Sequence, residues 1–153
     1  MIGGGSTPGT ADGRERERIG RIVSELDLEH MTRFPGQLGP DNLHLYYAAA
    51  DVTVVPSHYE PFGLVAIEAM ASGCPVVASG VGGLKYTVVD QVTGLLAPPR
   101  CVQGFAKALD RLLADQELRR ELGAAGSRRV RTHFTWTRAA DNCTRIYLDL
   151  AGC

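Results

Sequence analysis

A chain of 153 residues, 44% hydrophobic and 22% charged, can build one compact domain with its own core and is too apolar to stay disordered. A formal net charge of −1 offers no field of one sign for a nucleic acid or an anionic membrane, and no apolar run approaches the roughly 20 residues that cross a bilayer. The N-terminus lacks the order of a signal peptide, and Cys74, Cys101, Cys143 and Cys153 form no C-x-x-C pair and no zinc spacing with the four histidines. Reduced thiols, a cytoplasmic location and no bound metal are therefore expected.

The chain opens on "MI" and "GGGSTPGTADG", which read as the end of a buried strand and its glycine-rich exit; the upstream part of that strand is missing, so a fragment is expected. "RERERIGRIVSELDLEH" places Ile19, Ile22, Val23, Leu26 and Leu28 at helical spacing. "MTRFPG" reads as a short strand ending at Pro35 and Gly36, and "GPDNLHLYYAAA" as a helix started by Pro40, Asp41 and Asn42. "DVTVVPS" is a continuous apolar strand of the kind buried on both faces of a parallel sheet. A helix over about 62–72 follows, stopped by Gly73 and Pro75, and then a second buried strand, "PVVAS". "GVGGLKYTVVD" holds a glycine-rich turn and a short helix, and "TGLLAPP" a third strand. From about 102 the pattern is helical, with breaks near 115, 123–126 and 132–135 and with Thr135 placed to cap a last helix ending near 150. Strands alternating with helices predict an α/β fold with a mostly parallel, Rossmann-like sheet flanked by helices, in a single domain over 1–153.

Ligands of such sheets sit outside the carboxyl ends of the strands, and the loop "PSHYEPFG" lies at one of those ends. Pro61 suits a first helical turn, leaving the amides of Phe62, Gly63 and Leu64 free at the positive end of the helix dipole, where a phosphate or sugar hydroxyl can approach. Glu60 would sit at the rim and accept bonds from hydroxyls. Glu68, eight positions on, can accept two adjacent donors such as ribose 2′- and 3′-hydroxyls. The plain alternatives are a dipole-complementing acid at Glu60 and an exposed face or salt bridge at Glu68. Burying an unpaired carboxylate among Leu64, Val65, Ile67 and Met70 costs several kcal/mol on the order expected for an isolated charge. His58 and Lys85 read as solvated side chains, Arg128 and Arg129 as part of a solvated helix face, and Trp136 with Phe134 as an anchor for the last helix.

"EPFGLVAIEA" resembles the E-x7-E motif of the retaining GT-B glycosyltransferases of family 4, and "YYAAADVTVVPSHYEPFGLVAIEAMASGCPVVASGVGGL…VVD…TGLLAPP" is similar to that family's C-terminal, nucleotide-sugar-binding domain. With "GRERERI", "LGAAGSRRV" and "FTW" the resemblance spans essentially the whole chain, and "GGSTPGTADGRERERI" resembles the sucrose-phosphate synthase-like branch. It implies one half of a GT-B enzyme, a hexosyltransferase at full length. Glu60 would position the donor sugar, Phe62, Gly63 and Leu64 would hold sugar and diphosphate, and Glu68 the ribose. Arg33, Phe34 and Gly36 would seat the base; a solvated arginine and a core aromatic are the alternatives there. The family's Arg and Lys that neutralise the diphosphate have no counterpart here, nor has the N-terminal half that supplies the acceptor site, so the fragment alone is expected to be inactive. The partner expected is a nucleotide sugar, with no nucleic acid, no transmembrane segment, no metal and no cofactor. A nucleotide-binding or regulatory module without catalysis is the rival. A dinucleotide-binding dehydrogenase lacks its G-x-G-x-x-G here.

Overall fold

The computed structural model describes residues 11–152, and the chain divides after Leu43 into two compact units. The strand expected to end at Met1 and Ile2 lies outside the described residues. The first unit opens with helix α1 (Ala11–Glu25), whose charges pair along its surface: Arg18 Nη2 lies 2.6 Å from Glu15 Oε1, while Val23 is buried. A 3-10 turn over Glu29–Met31 follows. The strand expected at "MTRFPG" is not there. Pro35 has no N–H for a ladder and Gly36 turns the chain at φ +77°, so the segment leaves the extended conformation before it can pair. Helix α2 (Pro40–Ala49) starts at the proline, as its sequence signals predict.

The second unit is built on a parallel sheet in the order β1 (Thr53–Val55), β2 (Val76–Ser79), β3 (Leu95–Ala97). Thr53 pairs with Val76 and Val77 with Leu95. Helix α3 (Leu64–Ala71) connects β1 to β2, and the short α4 (Leu84–Thr87) connects β2 to β3. Every residue of β2 is buried, as a central parallel strand requires. β1 departs from that expectation, because Val54 is 40% exposed. Helix α5 (Val102–Ala114) packs on β2 and β3, so the face that Val54 shares with Val77 is left open at the end of the described sheet.

Val77, Leu95, Leu112 and Leu122 form a core cluster, with Phe105, Leu109 and Leu118 packed against it. Each such side chain contributes about 1.5–3 kcal/mol when fully buried. Leu122 belongs to α6 (Gln116–His133), which Asp115 caps by accepting from the Leu118 amide at 2.9 Å. The expected break at 123–126 does not occur. Gly123 and Gly126 are both buried inside α6, where a Cβ on Gly123 would lie 2.1 Å from the Gly73 carbonyl oxygen. The glycines let α6 lie against the α3–β2 turn and Met70; they mark close packing and no helix end. Thr135 does cap helix α7 (Trp136–Ala151), accepting from the Arg138 amide at 3.2 Å. No side chain of α7 is buried, and Trp136 is 93% exposed, so it does not anchor the helix. Phe134 does pack, edge-on to Phe62 and Tyr86.

Candidate functional site

The loop from β1 into α3 stands at the carboxyl end of β1. Helix α3 begins at Leu64, later than the sequence predicts, and Pro61 lies outside its first turn. Gly63 adopts φ +94°, a left-handed conformation that suits glycine, and is the residue at which the loop becomes helix. Its amide donates to Glu60 Oε1 at 3.0 Å, so the expected free amide at Gly63 is occupied. Glu60 thus closes the loop onto Gly63, and its Oε2 accepts no bond among the described residues. The amides of Leu64, Val65 and Ala66, the first turn of α3, have no acceptor among the described residues. A positive helix end of this kind is where an anion binds.

Glu68 is exposed. The buried face of α3 is Ala66, Ile67, Ala69 and Met70, so the carboxylate points away from the core and the cost of burying it does not arise. Its Oε2 accepts a hydrogen bond from the Tyr47 hydroxyl at 3.1 Å. Tyr47, on α2, is only 6% exposed. Burial, and then the negative charge of Glu68, push its phenol up to about 12, so it remains a neutral donor at physiological pH.

The loop after β2 is docked on the loop after β1, backbone against backbone. A Cβ on Gly82 would stand 2.3 Å from the Glu60 carbonyl oxygen, and one on Gly83 would stand 2.4 Å from that of Pro61. The Gly83 amide donates to the Glu60 carbonyl at 2.9 Å. In return Gly63 rests on α4, where a Cβ would come within 2.9 Å of Leu84 Cδ2. Helix α4 is held in turn by Arg129 of α6, whose guanidinium donates to the carbonyls of Thr87 at 3.0 Å and Tyr86 at 2.6 Å. That guanidinium also stands 5.5 Å from the Phe134 ring centre, and Phe134 meets Phe62 edge-on at 6.2 Å.

The second unit therefore contains Glu60, Phe62, Gly63 and Leu64 in one loop-to-helix junction and Glu68 further along the same helix. Arg33, Phe34 and Gly36 belong to the first unit: Arg33 is exposed, and Phe34 is half-buried beneath the Arg16 guanidinium, 3.8 Å from its ring centre. A cleft of about 490 Å³ opens at the carboxyl ends of β2 and β3, lined by Gly80, Lys85, Val88, Asp90, Leu96 and Pro98. Among the described residues no cluster of three or more His, Cys, Asp or Glu could hold a metal ion. Sequence reasoning missed Tyr47, Gly82, Gly83 and Arg129. For Tyr47 a signal existed, since a tyrosine on an apolar helix face needs a partner for its hydroxyl when buried. For Gly82 and Gly83 the paired glycines marked a turn, but not what they touch.

A parallel sheet with a helix start of free amides and two carboxylates at the carboxyl end of a strand is the arrangement of an α/β domain that takes ligands outside its strand ends. The chain belongs to the family of glycosyl transferases group 1, whose model matches residues 1–129. It is 44% identical over 128 residues to the D-inositol 3-phosphate glycosyltransferase of Corynebacterium aurimucosum, an alignment covering 84% of this chain and 30% of that protein. Its fold matches sucrose-phosphate synthase from Thermosynechococcus elongatus with a TM-score of 0.89 at 48% identity, over 99% of this chain and 38% of that one. It also matches Anabaena HepE in complex with UDP-glucose, with a TM-score of 0.81 at 25% identity over 99% of this chain and 40% of that chain. The fold is that of the C-terminal half of a GT-B glycosyltransferase. The chain spans about a third of the length of the curated relatives it matches. Among the described residues no helix is long and apolar enough to cross a membrane.

Proposed function

We propose that the chain, acting over 1–153 as one domain, is the donor-binding half of a retaining, family 4 glycosyltransferase that moves a hexose from a nucleotide diphosphate sugar to a hydroxyl acceptor. The observation that carries this reading is the junction at Gly63, where a carboxylate with a free oxygen meets three unpaired amides, with an exposed carboxylate further along the same helix. Glu60 and Glu68 are the two acids of the E-x7-E motif. Glu60 receives the hexose hydroxyls and positions the anomeric carbon. The backbone of Phe62 and the free amides of Leu64, Val65 and Ala66 receive sugar and diphosphate, beside a Gly63 whose own amide is held by Glu60, and the helix end stabilises the charge that grows on the leaving group. Glu68 accepts the ribose hydroxyls. No metal or cofactor is needed if basic side chains outside this stretch supply the remaining charge on the diphosphate. The acceptor is supplied through a further domain, so this chain binds the donor and does not transfer it. A cytoplasmic location suits both a nucleotide-sugar donor and the free thiols of Cys74, Cys101 and Cys143.

The test is calorimetric titration of the chain with UDP-, ADP- and GDP-glucose. One of the three should bind, and Glu68→Gln should weaken it by about 1.5–3 kcal/mol, the range for a hydrogen bond to a charged group. Heat from none of the three, or an unchanged affinity in the variant, overturns the assignment.

A further inference from the structure

Among the described residues the Glu68 carboxylate accepts one side-chain hydrogen bond, from Tyr47, 21 positions earlier in the chain. We infer that Tyr47 is a positioning residue, fixing the Glu68 carboxylate in the orientation that receives the ribose hydroxyls. The inference rests on the assignment of Glu68 to the ribose.

An exposed glutamate on a helix turns about three side-chain torsions, and ordering it on ligand binding costs conformational entropy. Tyr47 has the opposite character. Its ring is buried and its hydroxyl reaches the carboxylate from the rigid side, at 3.1 Å. The bond uses one lone pair on Oε2. A carboxylate has roughly four such sites, so Oε1 and the second lone pair of Oε2 stay open for two adjacent hydroxyls. Burial keeps the phenol protonated, so it can only donate towards Glu68 and cannot compete with it as an anion. The orientation is therefore set before the nucleotide arrives, which lowers the cost of binding without any contact between Tyr47 and the ligand.

Tyr47→Phe removes the hydroxyl and keeps the buried ring. Glu68, being exposed, regains water in its place, so the variant folds. The probes are UDP, ADP or GDP, whichever binds most tightly, and its 2′,3′-dideoxy form. The protein as it stands should prefer the ribonucleotide by about tenfold or more. In Tyr47→Phe that preference should shrink by about 3- to 10-fold, as expected for one net hydrogen bond, while dideoxynucleotide affinity stays the same. In a Glu68→Gln background, Tyr47→Phe should change nothing further. Equal losses for both nucleotides would mean that Tyr47 only supports the fold, and an intact preference would mean that it does not orient Glu68; either result overturns the inference. A protein without ribonucleotide preference from the start would remove Glu68 from the ribose, and this role with it.

Discussion

Glu60 and Glu68 lie eight residues apart on one loop and helix, and their local partners give them different tasks. Glu60 is turned inward by the Gly63 amide and holds the entry of α3 in shape, leaving one oxygen outward. Glu68 is turned outward by the helix and steadied by Tyr47. The Tyr47 proton is held more tightly in the folded protein than in the unfolded chain, where a phenol titrates near 10. Its contribution to stability is therefore complete below about pH 10 and is lost as the pH rises through about 12. Urea unfolding between pH 8 and 12 should show a steeper alkaline loss in the parent than in Tyr47→Phe; equal slopes would show that this phenol does not titrate with folding. The two acids themselves were legible from the sequence, by their spacing and the apolar run between them. Tyr47 was not, because no rule of spacing places a residue of α2 beside a residue of α3.

At the scale of elements, the most instructive contrast is between a glycine that the sequence reading takes as a helix break and one it reads through. Gly123 lies in α6 against backbone, where a Cβ would meet the Gly73 carbonyl oxygen at 2.1 Å. Gly20 lies in α1, with nothing nearer to a Cβ than an Arg16 nitrogen at 3.9 Å. Gly123→Ala should lower stability by about 1–3 kcal/mol through overpacking. Gly20→Ala should raise it by up to ~1 kcal/mol, because alanine loses less backbone freedom on entering a helix. Chemical denaturation of the two variants checks the pair, and the same sign in both would contradict this account. The break at 115, the cap at Thr135 and the three strands were readable locally. The strand at "MTRFPG" was misread because Pro35 and Gly36 act within the segment and not after it.

For the whole molecule, binding and stability are linked. A nucleotide that binds the folded chain at 100 times its dissociation constant should stabilise it by about 2.7 kcal/mol, read as a rise in the thermal midpoint. The same concentration should give a much smaller rise with Glu68→Gln, and an equal rise would place the nucleotide elsewhere. Local chemistry already determined the alternation of strands and helices and singled out the exit loop of β1 and the pair of acids as candidates, since periodicity, capping and turn residues act over a few positions. Tertiary structure alone decided which amides are free, because the Gly63 amide is taken by a side chain three residues away once the loop closes. It also decided that Gly82 and Gly83 fit the backbone of Glu60 and Pro61, and that Tyr47 reaches Glu68. Those contacts join segments some 20 residues apart, and they exist only after the sheet has brought the ends of its strands to one edge.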